Sequence, residues 1–232
     1  MATFVLVPGA MCGGWLWQRL VPLLRAAGHE AHPVTLTGFG DRVHLGGPGV
    51  DLETHVADLI NVLHYEDLWE AILVGHSYAG MVIAGAANRA PERIRRLVYL
   101  DAVVPRDGES FYGARSIEPP AGDDWQQPVP FAQEETREYL PDLAEEDVPW
   151  FYGRMTPQLV KTLAQPVRLG TLAAAAIPRT YVLCRNNWDD SLPPDIVRAR
   201  TEPGWDYREL ETDHVPMFAR PRELADLLLS LV

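Results

Sequence analysis

The stretch Ile72-Leu73-Val74-Gly75-His76-Ser77-Tyr78-Ala79-Gly80-Met81-Val82 decides the fold. Ala71 to Val74 is a short unbroken apolar run, the pattern of a strand buried on both faces. Met81 to Arg89 is rich in alanine and reads as a helix. Between them stands Gly-x-Ser-x-Gly. Strand, tight turn and helix in that order make a nucleophile elbow, in which Gly75 and Gly80 lack Cβ atoms and let strand and helix close around Ser77. The helix also turns its free N–H groups toward any negative charge that develops beside the serine. The bland alternative is two glycines that end a strand and start a helix. The motif therefore needs an acid and a histidine at other strand ends.

Outward from the elbow, strand and helix alternate. Thr3 to Val7 is a β-prone apolar run, followed by the glycine-rich loop Pro8 to Gly14. Trp15 to Ala27 carries leucines at helical spacing and stops at Gly28. Ala31 to Leu36 reads as a strand, and Thr37 to Val50, with five glycines, as a loop. Leu52, Val56, Leu59, Ile60 and Leu63 mark an amphipathic helix with Asp51 as its N-cap. Ile94 to Leu100 is a fourth strand. After the interruption described next, Thr180 to Cys184, Pro193 to Arg200, Trp205 to Leu210 and Pro221 to Leu231 resume the alternation. This predicts an α/β fold: about six mostly parallel strands with helices on both faces.

From Pro105 to Gly170 the alternation disappears. The segment is rich in proline and acidic residues, with Phe111, Tyr112, Trp125, Phe131, Tyr139, Trp150, Phe151 and Tyr152 interspersed. It is too long for an ordinary loop, too poor in apolar runs for a separate core, and too aromatic for a disordered linker. It reads as a mostly helical cap, residues 105–170, inserted into a core formed by residues 1–104 and 171–232.

Composition bounds the function. The 232 residues are 47% hydrophobic, and no apolar run approaches the length of a spanning helix. A net charge of −12 argues against nucleic acid as a partner. Cys12 and Cys184 fit a reduced compartment and offer no metal-ligand spacing; the serine-esterase reading reached below implies no metal or organic cofactor. Met1-Ala2-Thr3 enters a strand at once, without a basic leader, and a cytoplasmic location is expected. The scarcity of lysine beside arginine matches a high-GC bacterial genome, an association only. The expected partner is a small molecule, and the sequence leaves monomer and homodimer both open.

In open α/β sheets the working residues lie at the carboxyl ends of strands. His214, after the last strand, holds such a position. His29 and His32 flank a strand's other end, His55 and His64 lie on a helix with partial exposure expected, His44 sits in a loop, and His76 is expected to point away from Ser77. For the acid, Asp189 and Asp190 follow the strand ending at Cys184, and local physics does not choose between them. Asp213 adjoins His214 and is poorly placed to support its ring. Asp101 follows the fourth strand, either as the acid or as a cap of the next turn. Serine needs a base to take its proton, and the base needs a carboxylate to fix its tautomer.

Phe4 to Ala10, Gly13-Gly14-Trp15-x-Trp17, Pro22 to His29, the elbow and Asp213-His214-Val215-Pro216-Met217 together resemble the methylesterase and hydroxynitrile lyase family of α/β-hydrolases. Thr35 to Leu45 is similar to its bacterial esterase-like members. The resemblance implies a Ser-His-Asp triad of Ser77, His214 and Asp189. Asp189 comes from matching Cys-x-x-Asp-x-x-x-Pro backwards from Pro193, with two extra residues after Cys184. Asp190 stays open beside it. The backbone N–H groups of Ala10 and Tyr78 are implied as the oxyanion hole. The lyases of the family carry lysine at the position of Val215 and threonine at that of Gly9, so ester hydrolysis is expected over cyanohydrin cleavage. Tyr78 is expected to narrow the pocket beside Ser77. The expected activity is that of a serine esterase on a small or medium apolar or aromatic ester. The rivals are a non-hydrolytic enzyme on the same scaffold (cyclase, C–C bond cleavage or lyase) and a ligand-binding member without turnover.

Overall fold

Alternation along each strand sorts its side chains to two sides of one sheet. In β1 (Thr3–Val7), Phe4 and Leu6 enter one core and Val5 and Val7 the other, all fully buried. The computed structural model describes residues 1–170, 172–189 and 191–232. Within them the main strands are β1, β2 (Glu30–Pro33), β3 (Ala71–His76), β4 (Ile94–Leu100), β7 (Arg179–Cys184) and β8 (Trp205–Leu210). They form a six-stranded sheet in the order β2-β1-β3-β4-β7-β8, with every neighbouring pair parallel. Two short strands, β5 (Gln126–Gln127) and β6 (Gln158–Leu159), pair antiparallel as a separate ribbon.

Helices cover both faces. α1 (Val21–Ala26), α10 (Pro216–Ala219) and α11 (Pro221–Leu229) pack on the Phe4 side. α2 (Leu52–Tyr65), α3 (Ala79–Arg89) and α9 (Pro194–Thr201) pack on the Val5 side. Asp51 caps α2 in a reciprocal box, its carboxylate accepting from the Thr54 amide at 2.9 Å. No helix among the described residues is long and apolar enough to cross a membrane.

Several local expectations are corrected. The Trp15–Ala27 helix divides into a 3-10 turn at Gly14–Trp17 and α1, because Pro22 has no N–H to continue a helix from its own preceding turn. β2 stops at Pro33 rather than Leu36, at the edge of the sheet where a missing donor is tolerated. The glycine-rich loop after it contains a 3-10 segment, Gly40–Leu45, held by Arg42, which donates to the Thr35 carbonyl and pairs with Asp58. His55 is wholly buried rather than partly exposed.

Between β4 and β7 the chain makes short helices, α4 (Phe111–Arg115), α5 (Thr136–Tyr139), α6 (Val148–Tyr152), α7 (Val160–Ala164) and α8 (Leu172–Ala175), besides the ribbon. Three ties bind this segment to the sheet's carboxyl edge. Thr156 donates its amide and hydroxyl to the Met11 carbonyl. Arg19 pairs with Asp147 at 2.6 Å. Asp142 and Asp213 exchange bonds, each carboxylate accepting the other's amide at 2.8 and 2.9 Å.

Candidate active site

Parallel strands in register bring their ends together. Val7 pairs with Gly75, His76 with Leu100, and Leu100 with Val182. The residues just past β1, β3, β4 and β7 therefore share one edge. Ser77 takes a left-handed φ of 55°, the strained turn of an elbow. The turn is possible because α3 presses on the chain after β4: a Cβ on Gly80 would lie 1.9 Å from the Val103 carbonyl oxygen. The Ser77 amide donates to the Leu100 carbonyl, and its own carbonyl accepts from the Val103 amide.

Ser77 and His214 are both half-buried, and Ser77 Oγ lies 2.9 Å from His214 Nε2. The other ring nitrogen, Nδ1, lies 2.6 Å from Oδ2 of Asp101, which is fully buried. A carboxylate only accepts, so Nδ1 carries the proton, and Nε2 offers its lone pair to the serine hydroxyl. Asp101 Oδ1 accepts from the Trp188 indole at 2.7 Å and the Cys184 amide at 3.3 Å. Oδ2 accepts from Asn187 Nδ2 at 2.7 Å as well as from His214. All the accepting positions of the buried carboxylate are thus filled, which is what keeps an anion there tolerable.

The expected acid is corrected by this geometry. Asp189 is exposed and its carboxylate accepts from the Ser191 amide, turning back on its own loop. Asp190 lies outside the described residues. The member of that loop that reaches the ring is Asn187, an amide, with Nδ2 3.3 Å from His214 Nδ1. Asp101, at φ 45°, leaves the end of β4 with its amide on the Val182 carbonyl.

Two histidines behave differently from expectation. His76 does not point away; its ring lies 4.5 Å from that of His214 and its Nε2–H donates to the His214 carbonyl at 2.7 Å. Burial holds its pKa well below the usual histidine value, so it stays a neutral brace for the histidine loop. His55 is bonded on both nitrogens: Nε2–H donates to the Thr37 carbonyl and Nδ1 accepts from the Tyr78 hydroxyl. The Tyr78 ring is consequently drawn into the core against His55 and Phe111 and does not narrow the pocket. His44 is exposed and His29 braces the Ala2 amide.

Ser77 and His214 open into a cavity of about 210 Å³. Gly9, Ala10, Cys12 and Val215 line its floor, and Phe131, Tyr139, Leu140, Phe151 and Met155 its roof. Phe131 and Tyr139 stack at 4.7 Å. Burial pushes the Cys12 thiol up to about 12, so it stays protonated beside the serine. A Cβ at Gly9 would come within 2.9 Å of both Ser77 Cβ and His76 Nδ1, so a side chain there would strike Ser77. Neither the Ala10 nor the Tyr78 amide donates a hydrogen bond among the described residues. No three histidine, cysteine or carboxylate side chains converge to hold a metal among those residues.

A parallel sheet with a strained serine after its central strand, and a histidine and carboxylate at neighbouring strand ends, defines an α/β-hydrolase. The chain belongs to the alpha/beta hydrolase family, whose sequence model matches residues 4–227. The carbendazim hydrolyzing esterase of Nocardioides sp. (strain SG-4G) is 36% identical, with 100% of each chain covered. Among solved structures, a methylesterase protein, MES16, from Arabidopsis superposes with a TM-score of 0.83 at 28% identity, over 100% of this chain and 98% of the other. A pyrethroid hydrolase from Sphingobium faniae JZ-2 gives 0.79 at 26% identity, over 99% and 96%. With this family and these relatives, the chain is a carboxylesterase-type hydrolase.

Proposed function

We propose that Ser77 is the nucleophile, His214 the general base and acid, and Asp101 the carboxylate that orients and stabilises it. The observation that carries this reading is the continuous relay from Ser77 Oγ through His214 to Asp101, at 2.9 and 2.6 Å, opening on an apolar cavity. Ser77 Oγ attacks the ester carbonyl as its proton passes to His214 Nε2. The carbonyl oxygen becomes an oxyanion, held by the Ala10 and Tyr78 amides, which have no other acceptor within the described chain. Collapse expels the alcohol, which takes the proton from His214, and leaves an acyl-serine. Water enters, gives its proton to His214 and releases the acid, restoring Ser77.

The roof residues support residues 105–170 acting as a cap whose aromatic rings grip the substrate. The cavity is below the range of drug-sized pockets, roughly 300–1,000 Å³, and favours a small or medium ester with an apolar or aromatic part. The relative named for carbendazim hydrolysis makes that compound the first to assay. Two buried free thiols support a cytoplasmic setting.

A short p-nitrophenyl ester tests the mechanism directly. Ser77→Ala is expected to lower kcat by a factor on the order of 10⁶ with the fold retained. Equal turnover by variant and wild type would overturn it.

A further inference from the structure

The loop that carries Ala10 has almost no hydrogen bonds of its own. From Gly9 to Cys12 no amide donates among the described residues, and one carbonyl accepts, that of Met11. Met11 has a left-handed φ of 63°, a strained conformation for a residue with a Cβ, and such a turn persists only where its surroundings hold it. A carbonyl has two accepting positions, and Thr156 fills both, with its amide at 2.9 Å and its hydroxyl at 3.2 Å. Thr156 belongs to the 105–170 segment. It stands between Met155, which lines the roof of the cavity, and β6. That strand is fixed in turn: it pairs with β5, and its buried Leu159 sits where a Cβ on Gly38 would come within 2.5 Å of it. Thr156 itself is buried and does not line the cavity.

We infer that Thr156 is a positioning residue for the oxyanion hole: by gripping the Met11 carbonyl it holds the turn that presents the Ala10 amide to the reacting carbonyl. The inference rests on the reading of Ala10 as an oxyanion donor. A donor of this kind stabilises the transition state only if it is aligned before the charge appears, because no reorganisation is then needed at the moment of reaction. The loop supplies no bond that would align it, and the segment over the site supplies two. The neighbouring Met155 faces the cavity, so the stretch of chain that meets the substrate from above also sets the shape of the hole beneath it.

Thr156→Val removes the hydroxyl and keeps the shape and the amide, while Thr156→Ser keeps the hydroxyl. Both are assayed on p-nitrophenyl acetate and for inhibition by phenyl trifluoromethyl ketone and by acetophenone, with near-UV circular dichroism as the check of folding. Ser77 Oγ adds to the carbonyl carbon of the fluorinated ketone, its proton passes to His214, and the carbonyl electron pair moves onto the oxygen as an oxyanion. That Ki therefore reads the hole, whereas acetophenone does not add and its Ki reads the cavity. In Thr156→Val, kcat/KM is expected to fall and the fluorinated ketone's Ki to rise by one common factor, about three- to tenfold for a single hydrogen bond. The acetophenone Ki and the Thr156→Ser variant are expected within about twofold of wild type. A merely structural role would lower kcat through lost folded protein and move neither Ki. An unchanged fluorinated-ketone Ki in folded Thr156→Val, or equal rises in both Ki values, overturns the role of Thr156 and leaves the triad intact. A fluorinated-ketone Ki that Ser77→Ala leaves unchanged overturns the reading of the hole beneath it. Should Thr156→Val not fold, the wild type decides by reciprocity. The fluorinated ketone is expected to slow hydrogen exchange at the Thr156 amide at least about tenfold more than at the Gly153 amide, which is bonded to the Pro149 carbonyl. Equal slowing at the two amides overturns the proposal.

Discussion

At the scale of single residues, the site depends on where one carboxylate sits and on what is missing at Gly9. Asp101→Asn is expected to lower turnover by roughly 10³–10⁴, whereas exposed Asp189→Asn is expected to stay within about threefold of wild type. Parallel kinetics on the two variants check this, and a large loss in the second would reverse the assignment. Gly9→Ala places a Cβ 2.9 Å from Ser77 Cβ and His76 Nδ1. It is expected to lose activity far more than stability, because the collision falls on the nucleophile; kcat and the urea midpoint, measured together, separate the two. Gly80→Ala is the opposite case. Its Cβ would overlap the Val103 carbonyl, a rigid backbone atom, so loss of folded protein is expected before any kinetic effect can be read.

At the scale of elements, the segment between β4 and β7 is held where it covers the site. Asp142 and Asp213 accept each other's amides, and Asp213 adjoins His214. Burial raises the Asp213 pKa, while its bonds to the Val215 and Asp142 amides work the other way. Asp142→Ala strips the acceptor from the buried Asp213 amide. A stability loss of about 1.5–3 kcal/mol is expected, accompanied by a lower kcat as the histidine loop loosens; urea denaturation and steady-state kinetics measure both. Elements were legible where periodicity was long, as in α2, and where apolar runs were unbroken, as in β1, β3 and β4. The division of Trp15–Ala27 was marked by Pro22, whose missing N–H outweighed the leucine spacing.

At the scale of the whole molecule, two buried neutral histidines make stability depend on pH. His55 falls from 6.5 to about 4 because burial opposes its charged form. Its folded pKa is below the unfolded one, so between these values the unfolded chain binds more protons. Stability is therefore complete above about pH 6.5 and falls as pH drops toward 4, by about 3 kcal/mol for this residue. His76 acts in the same direction. Asp195 and Asp213, raised by burial, oppose it: over their own window the folded state binds more protons, so acidification favours it. Urea midpoints between pH 7 and 4.5, compared with His55→Gln, isolate the His55 share, and the variant's slope is expected to be shallower. The sequence carried the sheet, because strand runs are local signals, and it put Ser77 and His214 at strand ends that the structure brings within 2.9 Å of each other. It offered Asp101 only beside Asp189 and Asp190, since what brings Asp101 to the histidine is the pairing of β4 with β7, a contact between residues some eighty positions apart. His55 and Tyr78 were missed for the same reason: their mutual bond is visible only once α2 lies on α3.

Ser77 and Asp101 each stand one step beyond strands paired from His76–Leu100, and each continues the ladder through its own amide. Ser77 and Asp101 are thus rungs of the sheet, while His214 rides on a loop beyond β8. The two kinds of member should exchange their amide hydrogens on different clocks. The Ser77 and Asp101 amides are expected to exchange only through global opening, and those around His214 through local opening that is faster and sensitive to Asp142. In mechanical terms the proposed triad has two fixed points and one moving part, and the adjustment between a free and an acylated state is expected to fall on the histidine.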